Sequence, residues 1–220
     1  MEKGDGNVAL GRTEQLLQSH YKKAILKHGD TPEGAQWSSK ETQEKRFEIL
    51  LDIEDIKGSS VLDFGCGTGA MLDYLNKRAL ATRYTGCDIV EEALQIAKKK
   101  FAMLPKARFG FFEEFSADVF DYTFVSGVFN NKVEDNKAYY QNYLKSLWER
   151  TKKGLAFNMM SYYVDYYDDE LFYEKPENVF SFVKDNLSPF VVLRNDYQVK
   201  QGIIPFEFTV YVYRKEFARR

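Results

Sequence analysis

The sequence predicts an α/β chain built on a mostly parallel sheet, and three observations carry that prediction. Residues 61–64 form a short run that is apolar apart from Asp63, and it ends in glycines at alternate positions, Gly65, Gly67 and Gly69. A helical pattern starts at Ala70, so strand, glycine turn and helix follow one another as in a mononucleotide-binding βαβ unit. Strand-like and helix-like segments then alternate to the C-terminus of the 220-residue chain, a usual length for one α/β domain.

Glycine has no Cβ, so the backbone can turn sharply at this point and a ligand can lie directly on it. The helix that follows offers unpaired N–H groups and the positive end of its dipole. A dinucleotide turn reads G-x-G-x-x-G and leaves room for a pyrophosphate. Here the spacing is G-x-G-x-G, with Asp63 two residues ahead of the first glycine. A carboxylate there repels a pyrophosphate and suits an ammonium group. Asp88 follows the second candidate strand, residues 84–87, where an acid at a strand end grips ribose hydroxyls. A ligand with a ribose, an amino group and no diphosphate fits both acids.

The run Asp63-Phe64-Gly65-Cys66-Gly67-Thr68-Gly69, together with Asp88, resembles the first two motifs of class I S-adenosylmethionine-dependent methyltransferases. The resemblance implies a Rossmann-like seven-stranded sheet, mostly parallel with an antiparallel C-terminal hairpin and helices on both faces. It implies S-adenosylmethionine as cofactor, with S-adenosylhomocysteine as its product, across the carboxyl ends of the first strands. On this basis Asp63, Gly65, Cys66, Gly67, Gly69, Asp88 and Ile89 are expected to bind the cofactor. The other readings of the turn are a nicotinamide dinucleotide domain or a turn with no ligand.

Composition narrows the partners. Hydrophobic residues at 44% and charged residues at 29% describe an ordinary globular chain. A net charge of −2 argues against a protein held on nucleic acid by phosphate contacts. No run approaches the roughly 20 apolar residues that span a bilayer, and the first residues lack the apolar core of a signal peptide. A cytoplasmic location is expected, with neither membrane nor nucleic acid as partner. Cys66 and Cys87 both fall within the cofactor motifs and read as small buried residues in a reducing compartment. No cluster has metal-ligand spacing, so no metal is expected.

Ahead of the glycine turn, residues 1–10 read as frayed and residues 13–27 as a helix with Leu16, Leu17, Tyr21, Ala24 and Ile25 on one face. Glycine and proline break it, and Ser38 with Glu41 reads as a capping box for a second helix that carries Phe47, Leu50 and Leu51 and ends near Gly58. Residues 1–58 are therefore expected to form a helical lid on a core of residues 59–220, the two making one compact domain. In the resembling family such leading helices fold over the cofactor, which makes Tyr21, Trp37 and Arg46 candidate contacts. The alternatives are packing for Trp37 and solvent for Arg46. Tyr21, His28-Gly29, Trp37-Ser38-Ser39 and Arg46-Phe47 also resemble a bacterial subgroup of the family, without pointing to a reaction.

Beyond Asp88, residues 90–101 read as a helix whose three lysines, 98–100, face solvent and complement its dipole. Residues 108–112 form a third strand, and the resemblance sets Glu113 near the adenine amino group. Residues 121–129 form a fourth. Ser126, Gly127, Asn130 and Asn131 lie towards its carboxyl end, where an open α/β sheet binds ligands at the reversal of strand order. The two asparagines serve either a turn with a helix cap or the site itself. A fifth strand, 154–160, runs into a loop with four tyrosines and three aspartates in nine residues. Tyr163 and Asp165 are expected to reach inward, while Asp168 and Asp169 stay solvated; the alternative is a polar surface loop. A helix from Pro176 and strands at 190–195 and 206–214 complete the chain, with Gln201-Gly202 as a candidate hairpin turn.

The expected function is methyl transfer from S-adenosylmethionine to an oxygen or nitrogen of a small molecule, with Asn130, Tyr163 and Asp165 as candidate catalytic residues. An oxygen acceptor needs a base. His20 and His28 are the only histidines and read as structural. Two rival readings stay open: an RNA or protein acceptor, and a non-catalytic S-adenosylmethionine-binding module.

Overall fold

The computed structural model describes residues 5–80 and 82–215, the side chains of residues 5–10 excepted. Seven strands form one sheet: β1 Ser60–Phe64, β2 Arg83–Cys87, β3 Ala107–Gly110, β4 Phe120–Val125, β5 Thr151–Met160, β6 Phe190–Arg194 and β7 Glu207–Tyr213. Their order is β3-β2-β1-β4-β5-β7-β6. The first five run parallel, and β7 enters antiparallel between β5 and β6. Strand order reverses between β1 and β4, so a crevice opens at their carboxyl ends.

Among the described residues six α-helices surround the sheet: α1 Asp5–His28, α2 Lys40–Leu51, α3 Ala70–Lys77, α4 Glu91–Lys100, α5 Asn136–Glu149 and α6 Pro176–Asn186. Side chains alternate across a strand, and adjacent residues of β1 and β4 therefore enter two different cores. Val61 and Phe124 pack with Phe47 and Leu50 of α2 and Met71 and Leu75 of α3. Leu62 and Val125 pack with Leu144 and Leu147 of α5 and Val179 and Val183 of α6. Because both faces are covered, the central strands β1 and β4 are buried along most of their length rather than at alternate residues.

The N-terminal segment divides between two environments. α2 is part of the sheet's packing through Phe47 and Leu50. α1 instead packs Ile25 against Val90 and Ala93 at the start of α4, and Lys22 pairs with Glu92 there. α1 begins at Asp5, so residues 5–10 are helical rather than frayed; residues 1–4 of the expected frayed end lie outside the described residues. Leu16 is 65% exposed rather than on the buried face, which Thr13, Leu17 and Ile25 supply.

The cap of α2 lies one residue later than expected: Ser39 Oγ accepts from the Thr42 N–H at 3.2 Å. The helix also ends at Leu51, short of Gly58. The Asp52 and Ile53 N–H groups turn back to Ile49 and Leu50 in a tightened last turn, while Ile53 and Ile56 stay buried as anchors of the following loop. At the end of α4, Lys98 and Lys99 are exposed, but Lys100 bridges Asp30 at 3.0 Å and Asp73 at 2.5 Å. β3 stops at Gly110, where the Glu114 carboxylate accepts from the Phe111 N–H at 2.6 Å and starts a short 3-10 turn. β4 stops at Val125, four residues short of expectation, because Gly127 turns the chain at φ +75°. Among the described residues no helix is long and apolar enough to cross a membrane.

Candidate active site

A cavity of about 830 Å³ opens at the carboxyl ends of β1, β2 and β4. Its far wall is α1, through residues such as Glu14, Leu17, Gln18 and Tyr21, with residues 34–38 beside it. Gly65 and Gly67 form part of the floor. Gly67 has φ +53°, and a Cβ there would meet no protein atom within 4 Å. Space of that kind above a left-handed glycine is open to a ligand. Gly65 and Gly69 are constrained by packing instead: a Cβ would fall 2.3 Å from Val128 Cγ2 and 2.5 Å from Phe101 Cε2 respectively.

Of the residues expected to bind cofactor, Tyr21, Trp37, Arg46, Gly65, Gly67, Asp88, Ile89, Glu113, Ser126 and Gly127 line the cavity. Asp63, Cys66 and Gly69 do not. Asp63 points under the turn, where it is buried and accepts a 2.5 Å hydrogen bond from the Tyr84 hydroxyl. Burial pushes its carboxyl up to about 7, with the tyrosine bond opposing the rise. Cys66 is buried beneath the loop, its thiol raised by burial, and its N–H donates to Cys87 O. Gly69 caps α3 under Phe101 and Phe109.

Asp88 organises the cofactor turn. One carboxylate oxygen accepts from the Gly67 N–H at 2.8 Å and the other from the Val90 N–H at 2.9 Å. Burial raises its pKa, and the backbone hydrogen bonds pull the other way. Nearby, burial and the Asp88 charge both raise the Tyr21 hydroxyl. α1 is tied to this end by Gln18, whose side chain donates to Ile89 O at 2.6 Å. Glu14 accepts from the Tyr143 hydroxyl, and its own pKa is raised by burial and then by Glu113.

The other end of the cavity lies beyond β4. The Gly127 N–H donates to Asn158 Oδ1 at 2.8 Å, and the Trp37 ring lies so close that a Cβ on Gly127 would sit 2.5 Å from Trp37 Cη2. The Arg46 guanidinium stands 4.1 Å from the Trp37 ring centroid. Arg46 is buried rather than solvated. Its Nε donates to both carboxylate oxygens of Glu207, at 2.8 and 3.0 Å, and its Nη1 to Thr42 O at 3.0 Å. Asn158 Nδ2 donates to Glu207 at 3.3 Å. Sequence reasoning missed both Glu207 and Asn158. Their signal was a polar side chain inside an apolar strand, which needs a partner when buried.

Asn130 is 7% exposed, and its Oδ1 is buried with no hydrogen-bond partner; Ser126 Oγ is likewise unpartnered. Both line the cavity. Beside them the loop after β5 doubles back: Phe172 N donates to Asn130 O, Lys132 N to Glu170 O, and Asn131 bridges to Leu171. This pairing overturns the expected orientation of the loop. It brings Asp168 and Leu171 to the cavity and leaves Tyr163 and Asp165 off its lining. Tyr163 is 54% exposed with its hydroxyl on Glu177 of α6 at 2.5 Å, and Asp165 is exposed. Asp168 borders the cavity mouth and is exposed, as expected. Among the described residues no three His, Cys, Asp or Glu side chains are placed to share a metal ion.

A methyltransferase domain model matches residues 62–154. The chain is 33% identical over 159 residues to Rv1506c of Mycobacterium tuberculosis, a protein named as a methyltransferase, covering 70% of this chain and 92% of that one. The chain belongs to the class I S-adenosylmethionine-dependent methyltransferases. Solved structures of this methyltransferase's fold include magnesium protoporphyrin IX methyltransferase from Synechocystis with bound S-adenosylmethionine. That match has a TM-score of 0.65 at 12% identity, over 92% of this chain and 97% of the other. An S-adenosylmethionine-dependent methyltransferase from Clostridium acetobutylicum aligns with a TM-score of 0.55 at 16% identity, over 90% and 98%. The methyltransferase's own residues fit the cofactor. The open space over Gly67, the Asp88 carboxylate at a strand end and the unpartnered Ser126 Oγ lie along one cavity.

Proposed function

We propose that this methyltransferase acts on a nitrogen or oxygen of a small molecule held beside Asn130, at the end of the cavity bounded by Trp37, Arg46, Met160, Leu171 and Phe206. The observation that carries the reading is the Asn130 side-chain oxygen Oδ1, buried and without a partner, on a residue of the cavity wall. A buried acceptor left unpaired costs about 1–3 kcal/mol, so a ligand N–H or O–H is its natural complement. That donor belongs to the atom to be methylated. About 830 Å³ falls within the range of small-molecule sites. The basic residues at this end are few: Arg46 is already paired with Glu207, and Lys200 is exposed. An RNA acceptor would call for more positive charge than that.

S-adenosylmethionine supplies a methyl group on a positively charged sulfur. In the proposed arrangement Asp88 accepts from the ribose hydroxyls, and the Gly65–Gly67 turn lies under the ligand. Tyr21, Ile89 and Glu113 enclose its adenosine half. Ser126, Gly127, Trp37 and Arg46 border the reacting end, keep water out and align the acceptor, which is most of what this chemistry asks of a protein. α1 and residues 29–38 act as the lid. A metabolite-library screen with labelled cofactor tests the proposal. A labelled small molecule whose turnover falls in Asn130→Ala, with cofactor affinity kept, is the expected outcome. Label appearing only in RNA or protein fractions, or no label with any acceptor, overturns it.

A further inference from the structure

Glu207 and Arg46 lie 161 residues apart in sequence and meet at the acceptor end of the cavity. Glu207 opens β7 opposite Met160 of β5, so its carboxylate sits at the ligand-binding edge of the sheet. Its side chain is 0% exposed and that of Arg46 is 6%. A buried carboxylate needs both an opposite charge and hydrogen-bond donors. Arg46 supplies the charge and binds side-on, and Asn158 supplies a further donor. The Glu207 oxygens are thus turned to Arg46 and Asn158.

Arg46 lies over the Trp37 ring, with Phe206 on another side, its centroid 5.9 Å away. Trp37 in turn closes on Gly127, at a point where any larger residue would collide with it. The same Gly127 is hydrogen-bonded to Asn158, which donates to Glu207. Apolar residues of similar volume often stabilise a fold as well as a buried ion pair does. What the ion pair adds is a fixed plane for the guanidinium, and through it for the indole.

We propose that Glu207 is a positioning residue for methyl transfer: by holding Arg46 it seats Trp37 on Gly127 and so sets the wall against which the acceptor lies. The inference rests on the proposed acceptor site, but its test reads Trp37 without any acceptor. With Trp148→Phe as parent, Trp37 is the single indole of the chain. Arg46→Met and Glu207→Leu are introduced together, so that no buried charge is left alone. The expected result is a folded protein whose Trp37 emission moves to the red and whose acrylamide quenching constant rises about twofold or more, the mark of a loosened segment. Glu207→Asp, which keeps the charge but shortens the reach, should fall between parent and double variant. A folded double variant with unchanged emission and quenching overturns the proposal. So does a double variant that cannot fold, which would make the pair a plain stability element. Should wild type fail to bind S-adenosylhomocysteine while Trp37 still responds as expected, the proposed function fails and only the seating of Trp37 by Glu207 stands.

Discussion

Asp88 faces two ways, and this makes it the most informative single residue to change. It holds the glycine turn through the Gly67 N–H while standing on the cavity wall. A charged acceptor holding ligand hydroxyls contributes about 1.5–3 kcal/mol, so Asp88→Ala should weaken S-adenosylhomocysteine binding about 10- to 100-fold. Calorimetry reads this directly, and a change under about twofold would move the ribose contact elsewhere. Asp63 bears on stability instead. Its folded value of about 7 lies above its ordinary 3.8 because burial favours the neutral acid. The stability it contributes is complete below about pH 4 and is lost as pH rises through about 7. Asp63→Asn should therefore gain on wild type between pH 5 and pH 8, by an amount on the order of a few kcal/mol. Urea midpoints at the two pH values check this; a constant difference would mean that Asp63 ionises normally in the fold.

At the scale of elements, the N-terminal segment separates by what each part buries. α2 is fastened to the sheet by Phe47 and Leu50, whereas Ile25 of α1 faces α4 and its Leu17 and Tyr21 line the cavity. Hydrogen exchange with and without S-adenosylhomocysteine should show new protection across residues 11–38 and little change in residues 40–51, already protected by packing. Equal protection in both states would make α1 fixed scaffold. The glycine turn and the strands around it were legible in the sequence, because a left-handed turn and apolar periodicity are local requirements that single residues reveal. The mostly parallel sheet with its antiparallel end was what the resemblance to the methyltransferase family implied. What stayed hidden depends on distant partners. The loop after β5 looked as if it faced inward because it leaves a strand end. Its direction is set by pairing with Asn130 and Lys132, about which Tyr163 and Asp165 say nothing on their own. Glu207 read as an ordinary strand residue, since Arg46 stands far away in the chain. The end of α2 was misplaced because Ile53 and Ile56 continue an apolar pattern without continuing the helix.

For the whole molecule, the cofactor is a part of the fold that the chain does not itself encode. The cavity lies between the strand ends and α1, so an occupant adds contacts to both. S-adenosylhomocysteine at about 100 times its dissociation constant should add about 2.7 kcal/mol of stability, which for a protein of this size raises Tm by roughly 5–10 °C. NAD should give no shift, and a shift with NAD alone would contradict the family's ligand.

The way α1 is fastened has a consequence for residence time. Apart from Ile25 against α4 and Leu17 in the main core, its attachments include the Lys22–Glu92 pair, and Lys100 ties the turn just after it to α4 and α3. The reach of such surface charges shrinks from about 10 Å at 0.1 M salt to about 3 Å at 1 M. Each pair is worth only about 0–1 kcal/mol, too little to decide whether the molecule folds but enough to set how often this wall swings aside. Spent cofactor should therefore leave about two- to fivefold faster in 1 M than in 0.1 M salt, in stopped-flow displacement of S-adenosylhomocysteine. Ionic strength then acts as a throttle on turnover wherever product release is the slow step.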